Sequence, residues 1–276
     1  MKNLADISIR IAGHLLKSGV RSGRLSPSSR RRLKKILGLV STEVRGEICR
    51  EVMHANGCIV ASGPFEGMKI SEKVSWGDGD VLPKLLGSYE AELAPFFDEM
   101  KNIPLEIVIN VGTAEGFYSV GAAMILKTNR VIAVDIDQAA LDATQENASL
   151  NDVGHKVVGL LGLDAEGLHK LASTAGRCLI ISDCEGFELE LFSDQAVEAL
   201  KHSFCLVECH DFIGKNVADI LTEKFAESHF IELIDEGARN PNQYDILRNK
   251  NSLDRWLTVS EGRPETMRWL VARPKQ

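Results

Sequence analysis

The feature that most constrains the fold lies between residues 106 and 137, which read E-I-V-I-N-V-G-T-A-E-G-F-Y-S, a helical run, then R-V-I-A-V-D-I-D. Ile107 to Val111 is a short β-branched run, the composition of a strand buried on both faces. It ends in Gly112-Thr113-Ala114-Glu115-Gly116, and Phe117 to Leu126 reads as the following helix. Asn129 and Arg130 close that helix, and Val131 to Val134 forms a second buried strand ending at Asp135. Strand, glycine turn, helix, strand and acid make one βαβ unit.

Such a turn suits a ligand with a polar, partly charged tail. Glycines let the backbone approach closely, and the helix N-terminus offers unpaired N–H groups. Asp135, 19 residues after Gly116, stands where an acid accepts two ribose hydroxyls. The spacing is G-x-x-x-G, with Ala114 where the dinucleotide fingerprint G-x-G-x-x-G has its second glycine. It resembles motif I of class I S-adenosylmethionine (SAM) methyltransferases, where the looser turn receives the amino-acid end of the cofactor. Two glycines four apart are weak evidence alone; the flanking strands and the placed acid give them weight. A bulkier residue at Gly112 is expected to clash with the ligand and to leave the fold intact.

A chain of 276 residues suits one large α/β domain with an appendage, or two small domains, and 44% hydrophobic residues is ample for a core. The charge is unevenly placed. Residues 1–37 carry net +9 against a total of −7, so the remainder carries −16. That acidic body argues against nucleic acid as the main partner. The six cysteines form no C-x-x-C pair, and four sit in or beside apparent core strands. A reducing cytoplasmic compartment follows, with no apolar run near the ~18 residues that span a bilayer. Arg10 and His14 interrupt any signal-peptide core.

Residues 1–56 read as a basic helical N-terminal extension. Leu4, Ile7, Ile11 and Leu15 recur at helical spacing, and 18–23 is a flexible break. Ser26-Pro27 is an N-cap and N1 pair for a helix from Ser28 to Leu37, and a further helix runs from Thr42 to Ala55, ended by Asn56-Gly57. The basic arm has two readings, a solvated helix pair or a peripheral contact with an anionic membrane or partner protein. Residues 57–276 form the ligand-binding domain: 57–104 lead in, with a strand at Cys58–Ala61, a turn at 75–80 and a helix from 82; 105–276 are the core.

Beyond Asp135, residues 138–150 form a helix and Lys156 to Leu161 a third strand, with Asp164 and Ala165 past its tip. Cys178 to Ser182 is a fourth buried strand, ending in Asp183-Cys-Glu-Gly-Phe-Glu188. Phe204 to Val207 is a fifth, ending in Glu208-Cys-His-Asp211. Carboxyl ends of parallel strands face the ligand crevice, so both acidic clusters point to where Gly112 and Asp135 put the ligand.

With these stretches in hand, the chain resembles the FkbM-like class I methyltransferases. The matching pieces are V-I-N-V-G-T-A-E-G-F-Y-S, V-I-A-V-D-I-D-Q-A-A-L, E-N-A-S-L-N and I-I-S-D-C-E-G-F-E, within residues 60–273. The resemblance implies a Rossmann-like α/β fold with a seven-stranded, mostly parallel sheet and helices on both faces. Val217 to Glu227 would be a helix, Phe230 to Ile234 the sixth strand, and Met267 to Ala272 the antiparallel seventh. It implies SAM held by Asn110, Gly112, Thr113, Ala114, Glu115, Gly116, Asp135, Ile136, Asp164, Ala165 and Asp183, with Asp164 meeting the adenine amino group. Asn110 stands where the family usually has Asp or Glu, so its contact with the methionine ammonium lacks charge.

The resemblance implies methyl transfer to a hydroxyl on a sugar, polysaccharide precursor or secondary metabolite. An oxygen nucleophile needs its proton removed. His210 is the base by intrinsic pKa, Glu208 or Asp211 its orienter, and Glu185 the alternative base. Asp183, Glu185, Glu208, His210 and Asp211 also offer Mg²⁺ a ligand set, though no spacing demands the ion. Arg239, Asn240, Asn242, Tyr244 and Arg263 read as acceptor contacts or as turn residues. Two rivals stand beside this reading. A nicotinamide-dependent oxidoreductase requires G-x-G-x-x-G, which is absent; a non-catalytic binding module would keep the fold without the chemistry.

Overall fold

The computed structural model describes residues 26–72 and 81–275. The readings for 4–15, 18–23 and 75–80 lie outside these residues. By its internal contacts the chain divides into residues 1–47 and 48–276. The division falls inside one helix, Pro27–Asn56, where the sequence suggested two. Ser26 caps it as expected, its Oγ accepting the Ser29 N–H at 3.1 Å. Gly38 does not break the helix. Once a helix is nucleated, each added residue costs little, and the Ser41 and Thr42 hydroxyls donate back to the carbonyls of Leu37 and Gly38.

Among the described residues, seven strands form one sheet in the order β3-β2-β1-β4-β5-β7-β6. They are β1 Ile107–Val111, β2 Val131–Asp135, β3 Val157–Leu161, β4 Cys178–Ser182, β5 Phe204–Cys209, β6 His229–Asp235 and β7 Arg268–Pro274. The first five are parallel, and β7 runs antiparallel between β5 and β6, as the resemblance implied. β1 and β4 are buried along their whole length, as their mostly apolar composition favours; the polar exceptions are Asn110 and Ser182. Cys58–Ala61 makes only an isolated bridge, Ile59 to Lys69.

Period-two alternation sorts the sheet's side chains into two cores. One face of β1, β2, β4 and β5 gives Ile107, Ile109, Ile132, Ile180 and Val207, packed on Leu168, Leu191, Phe192, Leu221 and Phe225. Over the other face Phe65 meets Phe97, Phe117 and Tyr118 edge-on, with centroids 4.9, 5.2 and 6.0 Å away. Each fully buried ring there stabilises the fold by about 2–3 kcal/mol. β1 sits where the strand order reverses: the chain leaves it toward β2 and β3 on one side and returns to β4 and β5 on the other. A crevice at the carboxyl ends follows from that reversal.

Candidate active site

The glycine turn is fastened to β2. The Gly112 and Thr113 N–H groups donate to the Val134 carbonyl, each at 2.9 Å. Asp135 Oδ2 accepts the Ala114 N–H and its Oδ1 accepts the Asp137 N–H, both at 3.0 Å. Gly112 (φ +77°) and Gly116 (φ +88°) hold left-handed conformations that favour glycine. A Cβ on Gly112 would lie 1.6 Å from the Asp183 carbonyl oxygen. The glycine is therefore required by the protein's own backbone, which corrects the expectation that a bulky residue here spares the fold.

A cleft of about 1090 Å³ opens at these strand tips. Among the residues expected to hold the cofactor, Gly112, Ala114, Asp135, Ile136, Asp164 and Asp183 line it. Glu185 lines it too, together with an apolar wall that includes Leu160, Leu163, Leu171 and Phe187. Ile136 is 90% exposed, an apolar side chain left bare at the cleft. Asp164 also caps a helix, accepting the Gly167 N–H at 2.8 Å.

The remaining expected residues lie outside this lining. Asn110 accepts the Ser119 hydroxyl at 2.8 Å, and Thr113 Oγ1 bonds the same hydroxyl at 2.7 Å. Glu115 is buried in an ion pair with Lys84 at 2.8 Å. Gly116 precedes helix Phe117–Ile125 as its left-handed cap, and Ala165 opens helix Ala165–Thr174. These residues shape the turn and its supports.

Behind Asp183, outside the cleft lining, lies a buried histidine. His210 is 2% exposed, and its Nδ1 lies 2.6 Å from Glu188 Oε1. Its Nε2 stands 3.4 Å from Glu185 Oε2 and 3.6 Å from both Asp183 Oδ1 and Glu208 Oε2. Burial alone would lower the imidazole's pKa, but the Glu188 hydrogen bond and the Asp183, Glu188 and Glu185 carboxylates hold it above its ordinary value. Burial would raise Glu188; the His210 hydrogen bond and the Gly186 N–H outweigh it and keep that carboxyl low. Glu185 is pushed up by partial desolvation of an otherwise exposed side chain and by Asp183. It also sits at φ +51°, a left-handed conformation that costs a non-glycine residue about 1–3 kcal/mol.

Two expectations about this cluster are corrected. The orienter of His210 is Glu188, and neither Glu208 nor Asp211 serves. Glu208 Oε1 is held by Arg263, and Asp211 accepts the Ala218 N–H at 3.1 Å. Arg263 also pairs with Glu90 and, at 3.0 Å, with Glu261, so it belongs to a buried ionic network and is no loop residue. Arg239 joins that network through Glu261 at 2.8 Å. Glu188 closes the D-C-E-G-F-E stretch, and that adjacency was the available signal for it. Glu90 gave no signal, because its partners Tyr118 and Arg263 are distant in sequence.

A family model described as ribosomal protein L11 methyltransferase (PrmA) matches residues 96–174. That span holds the glycine turn, Asp135 and Asp164. The ribosomal protein L11 methyltransferase of Caldicellulosiruptor saccharolyticus is 50% identical over 46 residues, 17% of this chain and 15% of that protein. The match therefore spans about a sixth of that relative's length. An rRNA methylase from Streptococcus thermophilus superposes with a TM-score of 0.44 at 12% identity, covering 67% of this chain and 97% of its own. TYW2 of M. jannaschii, solved with AdoMet, superposes with a TM-score of 0.41 at 15% identity, covering 79% and 81%.

These matches correct the expected partners. The family model and the curated relative are both named for a ribosomal-protein methyltransferase, so the expected set of partners, a small-molecule or glycan acceptor with nucleic acid excluded and a membrane or partner contact by the basic arm, is withdrawn. O-methylation of a sugar loses its support with them. Among the described residues no helix is long and apolar enough to cross a membrane.

Proposed function

We propose that the chain is a SAM-dependent methyltransferase whose cofactor lies in the 1090 Å³ cleft and whose acceptor enters at the Asp183–Glu185–His210 end. One observation carries this reading: Gly112, Ala114, Asp135, Asp164 and Asp183 come from three βα junctions and a fourth strand tip, yet line one crevice. Asp135 takes the ribose and Asp164 the adenine amino group, with Ile136 and Leu163 as apolar walls; the Gly112–Ala114 turn, whose three N–H groups are already bonded, offers its carbonyl side to the ammonium of the amino-acid end. The D-C-E-G-F-E stretch supports the FkbM-like family as the finer assignment.

Methyl transfer is an in-line displacement, so alignment does much of the work and the acceptor atom must present a lone pair free of its proton. His210 and Glu185 are the groups placed to deal with that proton. Glu188 fixes the imidazole so that Nε2 faces the cluster. The acceptor class we propose is a protein side chain, because the matched segment of 96–174 is that of a ribosomal-protein methyltransferase.

The test has two parts. Calorimetry should show SAM and S-adenosylhomocysteine binding, with no heat from NAD; the converse would favour the oxidoreductase. Label from methyl-³H SAM, incubated with separate protein and RNA pools, should enter the protein pool. Transfer confined to RNA would overturn the acceptor class and keep the reaction; a chain that binds SAM and labels neither pool would favour the non-catalytic module.

A further inference from the structure

We propose that Asp183, Glu185 and His210 form a divalent-cation site at the acceptor end of the cleft, with Glu188 positioning the histidine. The inference deepens the methyl-transfer reading of the same cleft and rests on it.

Without an ion the three groups stand close together yet unbonded. One ligand atom from each lies within 4.8 Å of the others. The Nε2 distances to Asp183 and Glu185, 3.6 and 3.4 Å, exceed those of charge-assisted hydrogen bonds. They match the spacing of groups around a shared ion: ligands about 2.1 Å from a tetrahedral centre stand about 3.4 Å apart. A second observation points the same way. Asp183 Oδ1, the atom facing Nε2, is shielded from solvent although its side chain is 24% exposed; it meets no N–H donor among the described residues, and the side chain that hydrogen-bonds Asp183 is a second carboxyl, Glu208. A hydrogen bond between two carboxyls requires one of them to keep its proton, and a cation between Asp183 Oδ1 and Nε2 neutralises the cluster without it.

The histidine is arranged as metal-bound histidines are. Its Nδ1 lies 2.6 Å from a carboxylate that is itself fully buried, which fixes the ring and aims the Nε2 lone pair into the cluster. Charge completes the case. Asp183, Glu185 and Glu208 converge on Nε2, and the guanidinium nearest them, Arg263, is spent on Glu208 Oε1, Glu90 and Glu261. Two carboxylates and one imidazole suit a first-row divalent ion such as Mn²⁺ or Zn²⁺ better than Mg²⁺. With the ion on Nε2, His210 holds the metal, and an acceptor oxygen or nitrogen on the ion loses its proton more easily.

The experiment is Mn²⁺ and Zn²⁺ titration of the chelator-stripped full chain, read by calorimetry and by the Mn²⁺ electron paramagnetic resonance signal. One ion per chain is expected. His210→Ala and Glu185→Gln should each weaken binding at least tenfold, and Glu188→Gln by about 10–100-fold. SAM affinity, measured on the same samples, should stay within twofold, which also shows that the variants fold. Asp135→Ala should do the reverse, losing SAM affinity and keeping the ion. A stripped wild type that takes up neither ion, or uptake undiminished in His210→Ala, overturns the site. Ion binding without any SAM binding would instead sink the methyl-transfer reading and leave the metal site standing.

Discussion

Asp135→Ala tests the cofactor assignment most directly. The wild-type carboxylate already accepts one backbone N–H on each oxygen, from Ala114 and Asp137. Each oxygen keeps a second acceptor position, and Asp135 lines the cleft, so two ribose hydroxyls can bind without displacing either bond. Removing a charge-assisted acceptor of this kind costs about 1.5–3 kcal/mol, which is about 10–150-fold in Kd. The released Ala114 and Asp137 N–H groups are open to water, so the loss in stability should stay near 1 kcal/mol. Asp135→Asn keeps one acceptor oxygen but presents an NH₂ to the other donor, and should fall between the two. The assay is calorimetry with SAM and S-adenosylhomocysteine beside thermal unfolding of the same samples. An unchanged Kd in Asp135→Ala would refute the ribose assignment. A loss of affinity matched by a collapse in Tm would place the effect in the turn.

The other predictions concern the frame around that site. Gly112→Ala should destabilise the fold by about 3 kcal/mol or more, because its Cβ meets the Asp183 carbonyl at 1.6 Å; urea unfolding at wild-type midpoint would refute it. Arg263→Leu should cost about 3–5 kcal/mol by leaving Glu90 and Glu208 buried without their cation, and a stability within 1 kcal/mol of wild type would count against the network. His229 is buried, with Nε2 3.0 Å from the Ser203 carbonyl, and burial holds its pKa below the ordinary value. The unfolded chain therefore takes this proton first on acidification. His229 contributes stability that is fully present above about pH 6.5 and is lost as pH falls through its lowered folded pKa, with a slope up to about 1.4 kcal/mol per pH unit. His229→Gln should reduce the slope of stability against pH below about 6.5; an unaltered slope would place the proton uptake elsewhere.

The sheet was legible because its strands are β-branched runs punctuated by glycine and acid, and β1, β2 and β4 fall within a residue of their expected limits. The crevice was legible for a related reason: parallel strands share one direction, so residues just past their ends meet. What sequence position could not supply is where a side chain points. Asn110, Thr113 and Glu115 belong to the same motif as Gly112 and Ala114, yet bond Ser119 and Lys84. Lys84 lies 31 residues before Glu115, and no local pattern couples them. The Gly38 helix went unread for the opposite reason, since local propensity marks a break that propagation overrides.

The same limit explains why the roles within the acidic cluster had to come from contacts. By composition Glu185, Glu188 and Glu208 are interchangeable carboxylates near one histidine. Their surroundings separate them. Glu188 is fully buried and low in pKa because His210 donates to it, so it is fixed as an anion and serves to orient. Glu208 is also buried, but burial and the Asp183 and Glu90 carboxylates push it upward, while Arg263 claims its Oε1. A group held that way is a poor proton acceptor, since its basicity is already spent on the guanidinium or on a retained proton. Glu185 alone keeps a largely exposed side chain, 76%, within reach of both His210 and the cleft. Its strained backbone and raised pKa are the cost of putting a carboxylate there, beside Asp183, where an incoming acceptor or ion can reach it. The reactive surface therefore narrows to Asp183 Oδ1, a Glu185 oxygen and His210 Nε2, three atoms on two adjacent strand tips.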